Sequence, residues 1–304
     1  MATILSGNFP RALMPGVNKW FGMEYTDIPV KYSQVFSVSN SDKNFEEDVS
    51  AYGFGLATVK DETGSISYDT AAQGYVKRYV FVDYALGYQI SRNALEDNQY
   101  PELVSQRSSA LGRSMRQTKE NVHFNILNRA FSSSYLMADG VKLISTAHIR
   151  AKGGTYSNTL SADADLSEAS LEQMLINISQ AYNESGLRIG LSGQKLIVPT
   201  DLMFEAHRIT RSELQNDSAY NAINAIRSMG LLPGGVVVSE YLTDADAWFV
   251  LTNCPNGAKS IQRRAMEISM DEMDFNTENL AVKATERYAA GVSDVRAFYG
   301  TQGA

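Results

Sequence analysis

Apolar and polar positions along this chain change period several times, and each change marks an element. The steadiest alternation covers residues 75–91, where Val76, Val80, Val82, Tyr84, Leu86, Tyr88 and Ile90 share one parity and Lys77, Asp83 and Gln89 take the other. That pattern predicts a strand with one wet face, about 55 Å long if unbroken, at about 3.3 Å per residue. Residues 101–131 then switch to helical spacing. Val104, Leu111, Met115, Val122 and Ile126 recur at intervals of seven and four, behind Pro101 and Glu102, which suit a helix start. One helix here would span about 46 Å, at about 1.5 Å per residue. Gly112 is the weak point where it could divide in two, although keeping a glycine inside costs only about 1 kcal/mol.

Ahead of this pair, residues 1–44 hold neither period and are interrupted by Gly7, Pro10, Pro15 and Gly16. They are expected either to form an arm lying on another surface or to fray. Between residues 45 and 74, two short runs, 52–59 and 65–68, flank Lys60-Asp61-Glu62-Thr63-Gly64, a turn-forming stretch. The expectation is a projecting two-stranded loop with too few large apolar residues for a core of its own.

After the long helix, Asp165 and Glu168 resemble a capping box opening a helix over 165–185, with Gly186 as its stop. Its apolar stripe is Leu171, Met174, Leu175, Ile178 and Tyr182. Runs at 195–198, 236–239 and 248–251 have the length and flanks of buried strands, and 200–211 fits a helix, giving a mixed α/β unit with its own core. Residues 261–270 and 280–288 are further strands, followed by a short tail ending in Phe298-Tyr299-Gly300.

Composition narrows the function. With 44% hydrophobic and 20% charged residues, the chain is built to fold. A net charge of -7 gives no drive toward phosphate, so Lys77-Arg78 and Arg263-Arg264 support weak, non-specific nucleic-acid contact at most. Cys254 is the only cysteine, which excludes an intrachain disulfide and thiolate-rich zinc sites. No apolar run has the length of a signal core or a bilayer span, and the expected starting compartment is the cytoplasm.

Candidate chemistry is sparse. His123, His148 and His207 sit in no ligand or catalytic motif, and no Gly-x-Ser-x-Gly elbow occurs. Cys254 lies in a turn-like Asn253-Cys254-Pro255-Asn256-Gly257, and Gly53-Phe54-Gly55 lacks the third glycine of a dinucleotide turn. The acidic run 267–274 lacks the spacing and glycine of a calcium loop. Because triads assemble in space, an α/β enzyme with a deep pocket around His148 and His207 stays open as an alternative.

Three segments carry a family resemblance: Asp139-Gly140-Val141-Lys142-Leu143-Ile144-Ser145-Thr146-Ala147-His148; Gly153-Gly154-Thr155-Tyr156-Ser157-Asn158; and the closing stretch 286–300, from Glu286-Arg287-Tyr288 to Phe298-Tyr299-Gly300. With the order of elements, they resemble the Mu-like major head subunit family of tailed bacteriophages, over nearly the whole chain. The resemblance implies an α+β, Hong Kong 97-like capsid fold. Its parts would be an N-terminal arm (1–44), an extended loop (45–76), a peripheral domain (77–138) with a spine helix at about 101–131, an axial domain (139–275), and C-terminal strands (276–304) returning to the peripheral domain.

The implied function is structural: self-assembly as hexamers and pentamers into an icosahedral shell around double-stranded DNA, in the host cytoplasm and then the virion. Other copies are the main partners, with a separate scaffold protein, a portal and, in some members, a decoration protein. No enzyme activity, cofactor, metal or membrane is implied. Tyr52, Phe54, Leu56 and Val59 become candidate inter-subunit contacts, with packing on the chain's own surface as the alternative. An encapsulin-like compartment shell is the nearest other reading.

Overall fold

The computed structural model describes residues 21, 29–91, 93, 100–215, 222–271 and 279–304. Most of the expected arm, residues 1–20 and 22–28, lies outside the described residues, as do 272–274 of the acidic run. The chain begins with α1 (Tyr32–Val35), β1 (Ser37–Asn40), β2 (Phe45–Tyr52), β3 (Ala72–Val80), β4 (Val82–Ile90) and the long α2 (Tyr100–Asn128). A small pair, β5 (His148–Ile149) and β6 (Thr155–Tyr156), precedes α3 (Glu168–Ser179), β7 (Gly193–Pro199), α4 (Met203–Arg211) and α5 (Ala225–Ser228). The chain then runs through β8 (Val236–Ser239), β9 (Trp248–Thr252), β10 (Ala258–Asp271), β11 (Leu280–Val292) and β12 (Phe298–Thr301).

The helix expected over 101–131 is α2, continuous through Gly112. Its 29 residues reach about 43 Å, and its two halves serve two different sheets. Leu111 and Met115 pack on a first sheet of order β1-β10-β11-β4, against Ile90, Val282 and Ala284. Further along, Phe124, Leu127 and Ala130 pack on a second sheet of order β12-β9-β7-β8, through Ile197, Val237, Phe249 and Phe298. The other face of that sheet, with Leu196, Val198, Trp248, Val250 and Tyr299, is covered by Leu171, Met174 and Ile178 of α3 and by Ala206 and Ile209 of α4. Both faces are therefore dry, which is why the runs at 195–198 and 248–251 are apolar without alternation.

Where α2 passes from one sheet to the other, polar side chains fix it. Lys119 makes an ion pair with Glu286 of β11, and both side chains are almost wholly buried. His123 donates from Nδ1 to the Lys119 carbonyl at 2.6 Å, and Nε2 meets Ser260 Oγ of β10 at 2.8 Å. The Tyr32 ring stacks on that imidazole at 4.3 Å. Glu120 accepts the backbone N–H groups of Lys31 and Tyr32 at 3.0 and 2.9 Å, holding α1 against the helix.

Four expectations need correction. The strand over 75–91 is two strands meeting at Phe81: β3 pairs with β2, and β4 pairs with β11. Tyr79 and Phe81 bury against Ile261 and Ala289, whereas Tyr88 and Ile90 join the α2 side, so the buried parity flips at the break. Secondly, the two-stranded ladder is formed by Phe45–Tyr52 with Ala72–Val80; of the runs 52–59 and 65–68 only Tyr52 takes part, and the rest have no strand pairing. Thirdly, α3 is capped by a reciprocal Ser167–Ser170 box and ends at Ser179; Gly186 closes a later turn. Finally, sheet membership cuts across the sequence grouping. β10 belongs with β11 and β4, and β12 joins β9 in the second sheet as a fully buried strand.

Candidate functional site

The hairpin of β2 and β3 is the part of the chain least supported by its own core. Cross-strand partners share a face, so Phe45 with Val80, Glu47 with Arg78, and Val49 with Val76 form one side. These apolar residues are all exposed, and the Arg78 guanidinium lies 3.8 Å over the Phe45 ring. The opposite side, with Tyr79 and Asp48, meets the first sheet. Tyr79 is buried against Phe81, Ile261 and Ala289, and Asp48 takes a 2.7 Å ion pair from Lys259 of β10.

Beyond the ladder, residues 53–71 form an extended loop without regular pairing, turned by the Gly64 N–H to Asp61 carbonyl bond of 3.0 Å. Asp69 fastens its neck, accepting the N–H groups of Gly55 at 2.7 Å and Thr70 at 2.8 Å. The Gly55 bond first, then that of Thr70, holds this carboxyl below its ordinary range. At the neck Phe54 is 64% exposed, and past it Leu56 is 81% and Val59 97% exposed. Ile66 and Tyr68, which the sequence reading did not single out, are exposed as well. Tyr52 lies at the end of β2, and its side chain falls outside the described residues. Phe54, Leu56 and Val59 are thus largely uncovered by the rest of the chain.

Two polar bonds return the hairpin to the body. Ser185 Oγ donates to the Gly53 carbonyl at 2.9 Å, and Lys152 approaches Asp69 at 3.7 Å. Under the span between base and neck lies a cavity of about 310 Å³, walled by Ser50, Ala51 and Gly53 on one side and Glu184, Cys254 and Arg296 on the other.

The segments 139–148, 153–158 and 286–300 converge beside this cavity. Asn158 is their hub: its Oδ1 accepts from Ser145 N at 2.8 Å, and its Nδ2 donates to the carbonyls of Leu143 at 2.7 Å and Phe298 at 3.0 Å. His148 bonds to Asp139 at 2.6 Å through Nδ1 and to Asn158 at 3.1 Å through Nε2. Arg296 pairs with Glu184 at 2.6 Å, and its guanidinium stacks 4.3 Å from the Tyr156 ring. A completely buried asparagine that ties its own segment to two others is a structural knot, and nothing in the sequence around Asn158 marks it beyond the resemblance.

The candidate reactive groups are placed differently. His148 is sealed in this knot, His123 is sealed under α2, and His207 is exposed on α4. Burial pushes the Cys254 thiol up, away from the thiolate that would react. Among the described residues, no cluster of three or more His, Cys, Asp or Glu side chains could hold a metal. Among the described residues, no helix is long and apolar enough to cross a membrane.

A sequence model of the family described as phage capsid protein matches residues 74–300. The chain belongs to that family. A phage capsid protein is a shell subunit, so the exposed hairpin belongs to a molecule that forms homo-oligomeric shells, and membership implies a structural role. No curated protein sequence matches the chain. Among solved structures, the virus-like particle from Pyrococcus furiosus is 9% identical with a TM-score of 0.57, over 94% of this chain and 98% of that one. Microbacterium phage Oxtober96 gives 14% identity and a TM-score of 0.53, over 89% and 90%. The procapsid of bacteriophage JBD30 gives 14% and 0.51, over 98% of this chain and 76% of that one. At these identities the likeness is one of fold, and it extends over 89% or more of this chain.

Proposed function

We propose that this capsid protein is the major head subunit of a Mu-like tailed phage, a Hong Kong 97-type tile assembling as hexamers and pentamers into an icosahedral shell around double-stranded DNA. The observation that carries this reading is the loop tip, where Phe54, Leu56 and Val59 stand in solvent on a projection whose neck is nevertheless ordered by Asp69. An apolar tip on an ordered neck fits a surface outside its own chain. In a closed ring the same patch on each copy meets a different patch on the next, and a projecting arm enlarges that contact without a larger core.

In this reading the arm is the part of residues 1–44 ahead of α1 and β1, which pack into the body, and 45–76 are the extended loop. The peripheral domain is α2 with the first sheet, including β10; the axial domain is the unit around the second sheet, including β12. A separate scaffold protein and a portal act during assembly in the host cytoplasm, and a decoration protein is compatible with the finished virion. With a net charge of -7, contact with packaged DNA is weak and non-specific. The role is non-enzymatic and needs no cofactor.

The test is electron microscopy of the purified full chain beside a Phe54→Ser, Leu56→Ser, Val59→Ser variant. The wild type is expected to form closed particles or rings and the variant to stay as free subunits. A wild type that remains a monomer at all concentrations, or a variant that assembles normally, would sink the reading.

A further inference from the structure

The hairpin's attachment to the body is a directed chain of polar groups. Ser293, just past β11, donates from Oγ to Asp48 Oδ2 at 2.5 Å. With its one proton committed there, Ser293 must accept from the Tyr79 hydroxyl, also at 2.5 Å. Asp48 receives in addition the Lys259 ammonium at 2.7 Å. Asp48 and Tyr79 thus come from the two strands of the hairpin, while Ser293 and Lys259 come from the sheet beneath, so the relay joins two bodies.

Packing makes the relay specific to one tilt. The Tyr79 ring lies directly on Gly291, where an added Cβ would sit 2.9 Å from the ring edge. Only a glycine lets β11 pass this close, and that closeness brings the hydroxyl within reach of Ser293. Past this anchor, the cavity of about 310 Å³ leaves the hairpin unsupported until Gly53 meets Ser185. With its far end tied to Ser185 and Lys152, the span between can flex across this space when the root is released.

We propose that Asp48, Tyr79, Ser293 and Lys259 are positioning residues that set the tilt of the hairpin on the first sheet, and through it the angle at which neighbouring copies join. The inference rests on the reading above that the hairpin tip docks on a second copy. Particle size is then controlled partly within each subunit, before any contact forms.

The test uses the full chain with Ser293→Ala, the conservative Ser293→Thr, and Asp48→Asn. Amide hydrogen exchange is followed over 45–52 and 72–80 in unassembled subunits, and particle diameters are measured by electron microscopy. Ser293→Ala and Asp48→Asn are expected to raise exchange in the hairpin about tenfold, the worth of one charge-assisted hydrogen bond, with α2 unchanged and the diameters broadened. Ser293→Thr keeps the hydroxyl and is expected to restore both. Unchanged hairpin exchange, equal acceleration in α2, or uniform diameters in Ser293→Ala would overturn the proposal. If Ser293→Ala does not fold, Asp48→Asn decides by the same criteria. A wild type that forms no particles defeats the docking reading, while the exchange arm still decides whether the relay holds the hairpin.

Discussion

The middle of α2 and the tip of the hairpin lie in one chain and obey opposite rules. Around Lys119 and His123 the buried ammonium and imidazole are each answered by other groups of the same chain. At Phe54, Leu56 and Val59 apolar side chains stand in water. The first region specifies the subunit, because a buried ion pair that loses one member leaves a charge in a low-dielectric interior. The second contributes little to the subunit's own core; under the function proposed above, it acts between subunits. Within the described subunit, then, the buried polar contacts and the exposed apolar side chains lie on residues that do not overlap.

That division can be broken, starting where the effect is largest. Lys119→Met leaves the Glu286 carboxylate buried without its ammonium partner and is expected to lower stability to denaturant by about 3–5 kcal/mol; a loss below about 1 kcal/mol would mean the pair is solvated.

Next comes pH. Burial holds the His123 imidazole down at about 4, against an ordinary 6.5. Between those values the unfolded chain binds a proton that the folded chain refuses, so this contribution is complete above pH 6.5 and is lost as pH falls toward 4. The loss should approach about 3 kcal/mol, at about 1.4 kcal/mol per pH unit. Glu120 is held above its ordinary range by burial and has the opposite slope at acid pH. For that reason the measurement is the difference between the wild type and His123→Gln, which should show a flatter decline over that interval. Parallel curves would place His123 in contact with solvent.

Smallest in stability is the triple serine variant of the tip, expected to shift unfolding by less than about 0.5 kcal/mol while abolishing assembly. A large destabilisation would show that the tip packs on its own subunit and would erase the contrast.

The same contrast explains what was legible in the sequence. The recurrence of Leu111 and Met115 revealed α2 because a helix between a core and solvent must repeat, and β7 and β9 were legible because their residues are used by one chain alone. The loop misled because Phe54, Leu56 and Val59 form a short apolar run ahead of a charged, glycine-ended turn, as a hairpin strand would, yet they pair with no strand among the described residues. The break at Phe81 had a signal: Tyr79, Val80, Phe81 and Val82 are consecutive apolar residues, so both parities are apolar where the buried face changes. The cap of α3 was also visible in outline, with Ser167 and Ser170 at capping-box spacing two residues beyond the pair of acids first considered. Asn158 and the Asp48–Ser293 contact had no comparable mark, since long-range polar bonds depend on tertiary placement and not on period.

The bare tip also governs how the newly made protein behaves in bulk. Molecules that carry Phe54, Leu56, Val59, Ile66 and Tyr68 uncovered are sticky toward anything apolar, and at high concentration disordered clumping competes with orderly growth. Slow, steady supply therefore favours well-formed particles, and sudden overproduction favours precipitate.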